Sequence, residues 1–470
     1  MTAWVQDRLI AILDARVLPV LAAFAVAVFV GYAAAQDPDT LEGLSRGIFW
    51  AGLLLALFYA KWRSGGSRWR MSLLALALGS RIPLAFAHLT IFSMAFGGAG
   101  DFHGYVSRAL TRSLNFLEGD ITGLLWLETG RGAELSMEAV GRLLVPVYFM
   151  VGANVAGMFF VSGLVGFGGS YLFLRAFEIA YPAAREARFM LLMLFYFPSL
   201  VFWTSILGKD SWIYFFLGST TYALVHVVRA ITVRHFVLLA VSVTFVTLIR
   251  PAIGVVVVFG AAAALVLSLQ GKLVLVGHVN VLRPVIYIGF AGVIVLGTMA
   301  LTRVMPLHVY GNAYKHNPSV VEGILRIGVQ KHVGLATDPT AGGSSTNIAI
   351  IDTSTGSLGR FLPLAILGFL FRPLMWEAHN LVAKVAAIDS MLLMAIVVWR
   401  WRYLVAAIRQ LRRDPFVTFC WISFGVATAG LSFESNFGAI VRHRTMVIPF
   451  LFLLVAIPRT RPPAAEARTA

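Results

Sequence analysis

The chain has 470 residues, of which 59% are hydrophobic and only 13% are charged, and its mean hydropathy is +0.82. Soluble globular proteins contain roughly 45–50% apolar and 25% charged residues, so this composition excludes a water-soluble fold. The single cysteine, Cys420, excludes an intramolecular disulfide and a cysteine-based zinc or iron–sulfur site. The sequence instead predicts an integral membrane protein.

Apolar stretches along the chain predict an all-α, polytopic transmembrane helical bundle of about 12 spans. A helix needs about 20 apolar residues to cross the hydrocarbon core of a bilayer. The predicted spans lie at about 17–35, 47–60, 71–95, 143–174, 189–207, 211–228, 236–250, 252–270, 284–302, 382–399, 416–432 and 445–458. The fourth is overlong and rich in glycine, and a pair of helices is an alternative there that would break the count of 12. We therefore interpret 1–470 as a single integral membrane domain.

The distribution of charge predicts that the N and C termini are both cytoplasmic. Cytoplasmic loops of membrane proteins collect Lys and Arg, and the segments 61–70 and 400–413 contain basic residues but no acidic ones. With both segments inside, the cytoplasmic parts hold 21 of the 38 basic residues and 6 of the 22 acidic ones. The net charge of +16 is then a topology signal, which argues against a nucleic-acid partner.

This topology leaves two long outer loops, at about 96–141 and 303–381. The apolar segment 361–372 is too short to cross a bilayer and contains Pro363, so it is predicted to be re-entrant or interfacial. The outer loops carry mixed polar and charged residues, whereas the inner ones are predominantly basic. The function is therefore predicted to reside on the outer face.

The first outer loop carries the candidate catalytic residue, Asp101, in the stretch GAGDFHGYVSRAL (98–110). If a helix follows Asp101, Tyr105 lies one turn away on the same face, and His103 lies on another face. A carboxylate at the mouth of a bundle can accept a proton from a sugar hydroxyl, or hold a divalent cation such as Mg²⁺ or Mn²⁺ with further ligands. The alternative is that Asp101 is a structural N-cap. No cage of metal ligands is evident in the sequence.

Short outer turns supply candidate substrate-binding residues in addition to His103 and Tyr105. They are Lys209 and Asp210 between two spans, Arg250 before Pro251, and Glu434, Arg442, His443 and Arg444 before the last span. Arg pairs bidentately with phosphate, and cations on the outer side oppose the usual charge bias of membrane proteins. An anionic ligand explains them, and acidic partners such as Asp101 and Glu434 are the alternative. Snorkelling and helix capping equally account for Lys209 and Asp210.

The predicted spans contain Arg81, His88, Lys384 and Asp389. Charges inside a membrane are costly and usually have partners. We interpret these residues mainly as links between helices. Arg81, deep in the third span, is expected to need a carboxylate or a water-filled cavity.

Several of these motifs resemble bacterial membrane proteins that transfer sugars. Asp101 and Tyr105 resemble the loop-borne Asp of membrane glycosyltransferases with the GT-C fold, and the early Asp-Tyr region of EpsG-like and Wzy-like exopolysaccharide polymerases. The stretches FPSLVFWTSILGKD (197–210), LIRP (248–251) and FRPLMWEAHN (371–380) look like a set found in the same broad group. The resemblance implies a GT-C-like fold. It also implies that Arg250, Arg442 and Arg444 hold an undecaprenyl-pyrophosphate-linked sugar.

The first functional hypothesis is therefore a glycosyltransferase or glycan polymerase of the bacterial inner membrane. Its predicted partners are a polyprenyl-linked sugar donor, a glycan or lipid acceptor and membrane lipid. A transporter or flippase of lipid-linked sugars or of another anion is the main alternative, although no internal repeat is evident. A non-catalytic scaffold of an envelope assembly complex is the third.

Overall fold

A computed structural model describes residues 46, 52, 68–81, 83–84, 87–88, 101–120, 132–182, 184–230, 232–273, 355–378, 381–432 and 437–458. Within these ranges all regular structure is helical, as predicted. The helices are α1 (Arg68–Gly79), α2 (Phe102–Leu117), α3 (Gly132–Val151), α4 (Val155–Ala180), α5 (Ala187–Tyr196), α6 (Pro198–Trp203), α7 (Lys209–Arg229), α8 (Val233–Ile249), α9 (Pro251–Leu273), α10 (Thr355–Phe371), α11 (Leu381–Trp399), α12 (Trp401–Gln410), α13 (Pro415–Leu431), α14 (Phe437–Arg444) and α15 (Ile448–Leu454). A 3₁₀ turn, Met375–Glu377, follows α10.

Among the described residues, three helices are long and apolar enough to cross a membrane. They are Val155–Ala180, Lys209–Arg229 and the segment Pro251–Ser268 of α9. The segment Ala383–Trp399 and helix α12, joined at a bend of 64°, make a fourth if the bent pair counts as one span. The structure thus supports a membrane protein with several spans. The predicted number of about 12 stays a prediction, because spans such as 17–35 and 284–302 lie outside the described residues.

The chain divides into two compact units, each described here by itself. The first contains Met1–Tyr171 and Leu200–Phe215, and the second contains Leu172–Ser199 and Phe216–Ala470.

In the first unit, the predicted outer loop at 96–141 contains the amphipathic helix α2 and the start of α3. The buried residues Phe102, Tyr105, Ala109 and Ser113 recur at intervals of three or four, so they form one stripe along α2. This stripe packs in the unit while Leu114 and Leu117 remain exposed at the end of the helix. The helix predicted after Asp101 is confirmed.

The overlong predicted span 143–174 is a pair of helices, which was the alternative interpretation. Helix α3 ends at Val151, and Gly152 follows with a φ of +76°, a conformation that glycine adopts without steric cost. The side chain of Asn154 then accepts a hydrogen bond of 2.8 Å from the Gly157 N–H in the first turn of α4. A left-handed glycine and an asparagine cap therefore end one helix and begin the next.

Helix α15 lies at the centre of the second unit. All seven of its residues are buried, although it is only two turns long. Its two phenylalanines meet aromatic rings from α4, α13 and the junction of α5 with α6: Phe450 packs edge-on against Phe173 and Phe419, and Phe452 against Phe197. Such pairs are favoured by about 0.5–1.5 kcal/mol beyond their area burial. The predicted last span contains this buried helix, and its crossing of a membrane stays a prediction.

The segment predicted to be re-entrant belongs to a longer helix. Helix α10 has 17 residues and includes Pro363 without ending there. The side chains of Arg372 and Glu377 follow it in the 3₁₀ turn region. The re-entrant placement in a membrane stays a prediction, and the part of the second outer loop at 303–354 lies outside the described residues.

Candidate functional site

Asp101 stands at the N-cap position of α2 and is exposed. Its side chain makes no capping hydrogen bond, and its backbone is already helical, with φ −54° and ψ −23°. The structural N-cap, which was the alternative to a catalytic role, therefore lacks its defining hydrogen bond. His103 is also exposed, and its ring lies 4.0 Å from that of Phe102.

Tyr105 connects α2 to the turn that contains Lys209 and Asp210. Tyr105 is fully buried, and a Cβ added at Gly208 would lie 3.6 Å from the edge of its ring. Lys209 follows, half-buried, and Asp210 is fully buried in the first turn of α7. A carboxylate there also suits the positive end of the helix dipole. The structure thus brings together candidate residues that are about 100 positions apart in the sequence.

Three arginines surround one glutamate where α2 meets α3. Glu138 forms ion pairs with Arg108 at 2.9 Å, with Arg112 at 3.3 Å and with Arg142 at 3.3 Å. We call these four residues the arginine cluster. Three guanidinium groups and one carboxylate give these four residues together a formal charge of +2. The Arg108 side chain is 31% exposed, whereas those of Arg112 and Arg142 are 14% and 11% exposed.

The arginine cluster was missed by sequence reasoning, although part of its signal was present. Arg108 and Arg112 are four residues apart, as are Glu138 and Arg142, so each pair shares a helix face. The meeting of the two faces depends on the packing of α2 against α3, which spacing does not reveal. Arg108 follows Asp101 by seven residues, and therefore lies about 10 Å further along the same side of α2.

A buried polar group fixes the chain just before Lys209. The Arg81 Nη1 donates hydrogen bonds to the Val201 carbonyl, to Thr204 Oγ1 and to Ser205 Oγ at 3.1, 3.0 and 2.7 Å. The His88 Nε2 lies 2.8 Å from the Phe202 carbonyl oxygen. Carbonyl and hydroxyl oxygens thus accept the hydrogen bonds of Nη1. Arg81 thereby positions the turn that ends at Lys209. The carboxylate or water-filled cavity expected for Arg81 stays a prediction.

Arg250 belongs to the second unit and occupies the break between α8 and α9. Helix α8 ends at Ile249 and α9 begins at Pro251, so the predicted tight turn is present. The Arg250 side chain is half-buried. The turn is closely packed, since a Cβ added at Gly254 would lie 2.5 Å from the Thr247 Cα.

Arg444 is fully buried in the second unit and donates hydrogen bonds to protein atoms. Its Nη1 donates to the Leu370 carbonyl at 2.9 Å and to Ser390 Oγ at 3.0 Å, and its Nη2 donates to the Arg372 carbonyl at 2.7 Å. The carboxylate of Asp389 also interacts electrostatically with Arg444. Arg444 therefore links helices, and its predicted contact with substrate stays a prediction. Arg442 and His443 are half-buried beside it, and Glu434 lies outside the described residues.

Arg372 and Glu377 form a two-point ion pair after α10. The Arg372 Nη2 lies 2.6 Å from Glu377 Oε1, and its Nε donates to Glu377 Oε2 at 3.1 Å. Burial alone would raise the pKa of the Glu377 carboxyl. The hydrogen bonds from the Arg372 side chain and the Leu374 N–H, together with the charge of Arg372, outweigh burial and lower this pKa below its ordinary value. The pair stabilises the FRPLMWE stretch.

The described residues contain no group of three or more His, Cys, Asp or Glu side chains that could hold a metal ion. The divalent cation considered for Asp101 stays a prediction.

Comparison with known proteins gives no relative. No family model matches the chain, and no curated protein or solved structure matches it. The resemblance to GT-C, EpsG-like and Wzy-like proteins stays a prediction.

Proposed function

We propose that the chain is a membrane glycosyltransferase or glycan polymerase of the bacterial inner membrane. It transfers a sugar or oligosaccharide from a polyprenyl-(pyro)phosphate-linked donor to a glycan or lipid acceptor on the periplasmic face. The observation that carries the proposal is the arginine cluster, which lies where α3 meets α2, the helix that begins beside Asp101. A cation group and an accessible carboxylate on one helix suit a reaction that expels a phosphate.

The arginine cluster is proposed to bind the phosphate part of the donor. Guanidinium groups offer paired donors that match phosphate oxygens, and charge-assisted hydrogen bonds of this kind are stronger than neutral ones. Positive charge held ready at the leaving group stabilises the negative charge that develops there in the transition state. Glu138 contacts all three arginines, and its negative charge also opposes the binding of a phosphate beside them.

Asp101 is proposed to activate the acceptor. Its carboxylate accepts the proton of an acceptor hydroxyl, whose oxygen forms a bond to the anomeric carbon of the donor sugar. The bond between that carbon and the phosphate oxygen breaks, and the polyprenyl (pyro)phosphate leaves with the electron pair. Lys209, Asp210, His103 and Tyr105 are proposed to bind the sugars near this point. Arg250, Arg442 and His443 are proposed to bind substrate in the second unit.

The proposal includes the predicted arrangement in the membrane. About 12 spans with cytoplasmic termini and a GT-C-like fold place α2 and the arginine cluster on the outer side. The long isoprenoid tail of the donor would lie in the lipid beside the bundle. A donor carried by lipid also fits a chain in which no segment resembles a soluble nucleotide-sugar domain.

The first experiment replaces the proposed base. Purified full-length protein in nanodiscs is given a panel of undecaprenyl-phosphate-linked and undecaprenyl-pyrophosphate-linked hexoses with glycan acceptors, and product formation is measured. Asp101→Asn is expected to lower kcat by roughly 10²–10⁴-fold, the usual contribution of a general base. Asp120→Asn, an exposed carboxylate beyond the other end of α2, is the matched control and should retain activity. Full activity of Asp101→Asn would remove Asp101 from the mechanism.

The second experiment separates phosphate binding from simple structural support. Arg112→Gln removes a positive charge from the cluster, so the apparent KM for the donor should rise by about tenfold or more. Glu138→Gln removes the negative charge, so donor binding should be retained or become tighter. A purely structural cluster predicts that both substitutions weaken binding together, and that result would contradict the proposed role.

The position of accumulated donor distinguishes the enzyme from a flippase. In cells that produce only the Asp101→Asn protein, the lipid-linked donor should accumulate in the outer leaflet, because it has already crossed the membrane. Accumulation in the inner leaflet would favour the flippase. A normal amount of glycan product in these cells would favour the non-catalytic scaffold.

A further inference from the structure

Helix α12 forms a basic groove that the proposed reaction does not use. It follows α11 at a bend of 64°, so the chain turns sharply at the end of an apolar helix. Beside it lies an open groove of about 590 Å³. The groove is lined by Trp401, Arg402, Val405, Ala406, Arg409, Gln410, Arg413 and Asp414. The lining residues from Trp401 to Gln410 are pairs that recur every four positions, which is the spacing of one face of a helix, and Arg413 and Asp414 follow the end of α12.

The charge of this groove is strongly positive. Arg402, Arg409 and Arg413 are all exposed, and none of them forms an ion pair within the part of the chain that the structure describes. The one acidic residue, Asp414, already has partners: its Oδ2 accepts a hydrogen bond of 3.0 Å from the Tyr181 hydroxyl, and its Oδ1 accepts one of 2.9 Å from the Phe416 N–H. The groove therefore presents three guanidinium groups to a ligand.

The surroundings of the groove are those of a helix at a membrane surface. Trp399 and Trp401 flank the bend and are 61% and 54% exposed, and Ile408 is exposed on α12. Tryptophan is enriched where the hydrocarbon core meets the headgroups. Amphipathic helices with basic and aromatic residues lie in that layer and are attracted to anionic lipids. The arginines would then lie at the depth of the lipid phosphates.

We propose that this groove binds the headgroup of an anionic phospholipid, with phosphatidylglycerol as the model ligand. Arg402 and Arg409 are seven residues apart, and Arg413 follows by four, so their guanidinium groups line one edge of the groove. Each guanidinium can donate paired hydrogen bonds to phosphate oxygens. Trp401 and Ile408 provide apolar surface for the upper part of the acyl chains. This site is independent of the proposed glycosyl transfer.

The experiment measures lipid that stays bound to the protein. Full-length protein is placed in nanodiscs of equal parts phosphatidylcholine and phosphatidylglycerol, and lipid retained on release into detergent is counted by native mass spectrometry. The wild type is expected to retain phosphatidylglycerol in preference to phosphatidylcholine. The variant R402Q/R409Q/R413Q should retain at least roughly tenfold less phosphatidylglycerol than the wild type. The control R185Q/R188Q/R234Q removes three other exposed arginines and should retain it normally.

Each other outcome overturns the proposal. Equal retention by the groove variant and the wild type would show that the groove is not the site. Equal loss in the control would show a general effect of charge. Displacement of the lipid by excess inorganic phosphate would indicate a site for free phosphate. If the triple variant does not fold, R402Q and R413Q are measured singly, and normal retention by both contradicts the proposal.

Discussion

Arg444 illustrates how a buried cation is accommodated in this protein. Two of its three acceptors, the carbonyls of Leu370 and Arg372, lie at the C-terminal end of α10. Carbonyl groups at that end of a helix lack partners within the helix, and the helix dipole makes the end negative. Arg444 therefore caps α10 from another helix, while Asp389 supplies a nearby negative charge.

Replacing Arg444 by Met should be strongly destabilising. The substitution leaves the carbonyls of Leu370 and Arg372 without their donor, and each buried acceptor left unsatisfied typically costs about 1–3 kcal/mol. Arg412→Met, at an exposed arginine, is the control and should change the free energy of unfolding by less than about 0.5 kcal/mol. Thermal unfolding of both proteins in detergent is the measurement. Equal stability would show that Arg444 adds little to the fold.

At this scale the sequence predicted which residues need partners better than it predicted the partners. Asp389 was interpreted as a link between helices, and its Oδ1 does accept a hydrogen bond of 2.9 Å from the Ser199 N–H. Arg444 was assigned to a ligand because basic residues before the last span oppose the charge bias. The sequence does not reveal that backbone carbonyls of α10, more than 70 positions away, accept its hydrogen bonds.

Among the elements, α4 depends on glycines where it meets the 204–215 segment. A Cβ at Gly166 would lie 2.9 Å from the Thr204 carbonyl carbon, and one at Gly169 would lie 2.7 Å from Tyr214 Cδ1 and 2.9 Å from Phe215 Cα. Small residues let backbones in membrane proteins approach closely. This contact holds the start of α7, and therefore Asp210, in place within the first unit.

Gly169→Ala should separate these elements and destabilise the protein. The backbone of Phe215 cannot move as a side-chain tip can, so an added methyl group forces the helices apart, at a cost of typically about 1–3 kcal/mol. Gly425→Ala in α13 is the control: nothing lies within 4 Å of the added Cβ, so the better helix propensity of alanine should be neutral or stabilising by up to about 1 kcal/mol. Their melting temperatures in detergent test this. If the Gly169→Ala and Gly425→Ala proteins have the same melting temperature, the close approach of α4 to the 204–215 segment is unimportant for stability.

Helices were predictable from the sequence, but their ends and packing were less so. Hydropathy located α4, α7, α9 and α11, because a membrane helix leaves a long apolar run. The run at 143–174 concealed a break, since Gly152 and Asn154 stand in an apolar segment without an accompanying charge. Helix α2 was predicted from Asp101 onward. Its pairing with α3, and hence the arginine cluster, depends on tertiary contacts that no local pattern encodes.

For the whole molecule, the decisive question is the orientation in the membrane. Composition predicts a membrane protein, and the positive charge of the short loops predicts which side faces the cytoplasm. The proposed transferase needs α2 outside, because its donor is exposed there, whereas the turn between α7 and α8 is predicted inside. The two segments lie in different compact units, so their sides can be tested independently.

Cysteine labelling provides that test in a background without the native thiol. Cys420 is buried in α13, and Cys420→Ala removes it. A membrane-impermeant maleimide applied to intact cells should label Ser107→Cys on the exposed side of α2. Val233→Cys, which is 80% exposed at the start of α8, should react only after the inner membrane is permeabilised. Neither substitution alters a charge, so the charge bias that orients the chain is preserved. The reverse labelling pattern would place α2 and Asp101 in the cytoplasm and contradict transfer on the outer face. Labelling of both cysteines from outside would overturn the predicted order of spans between α2 and α8.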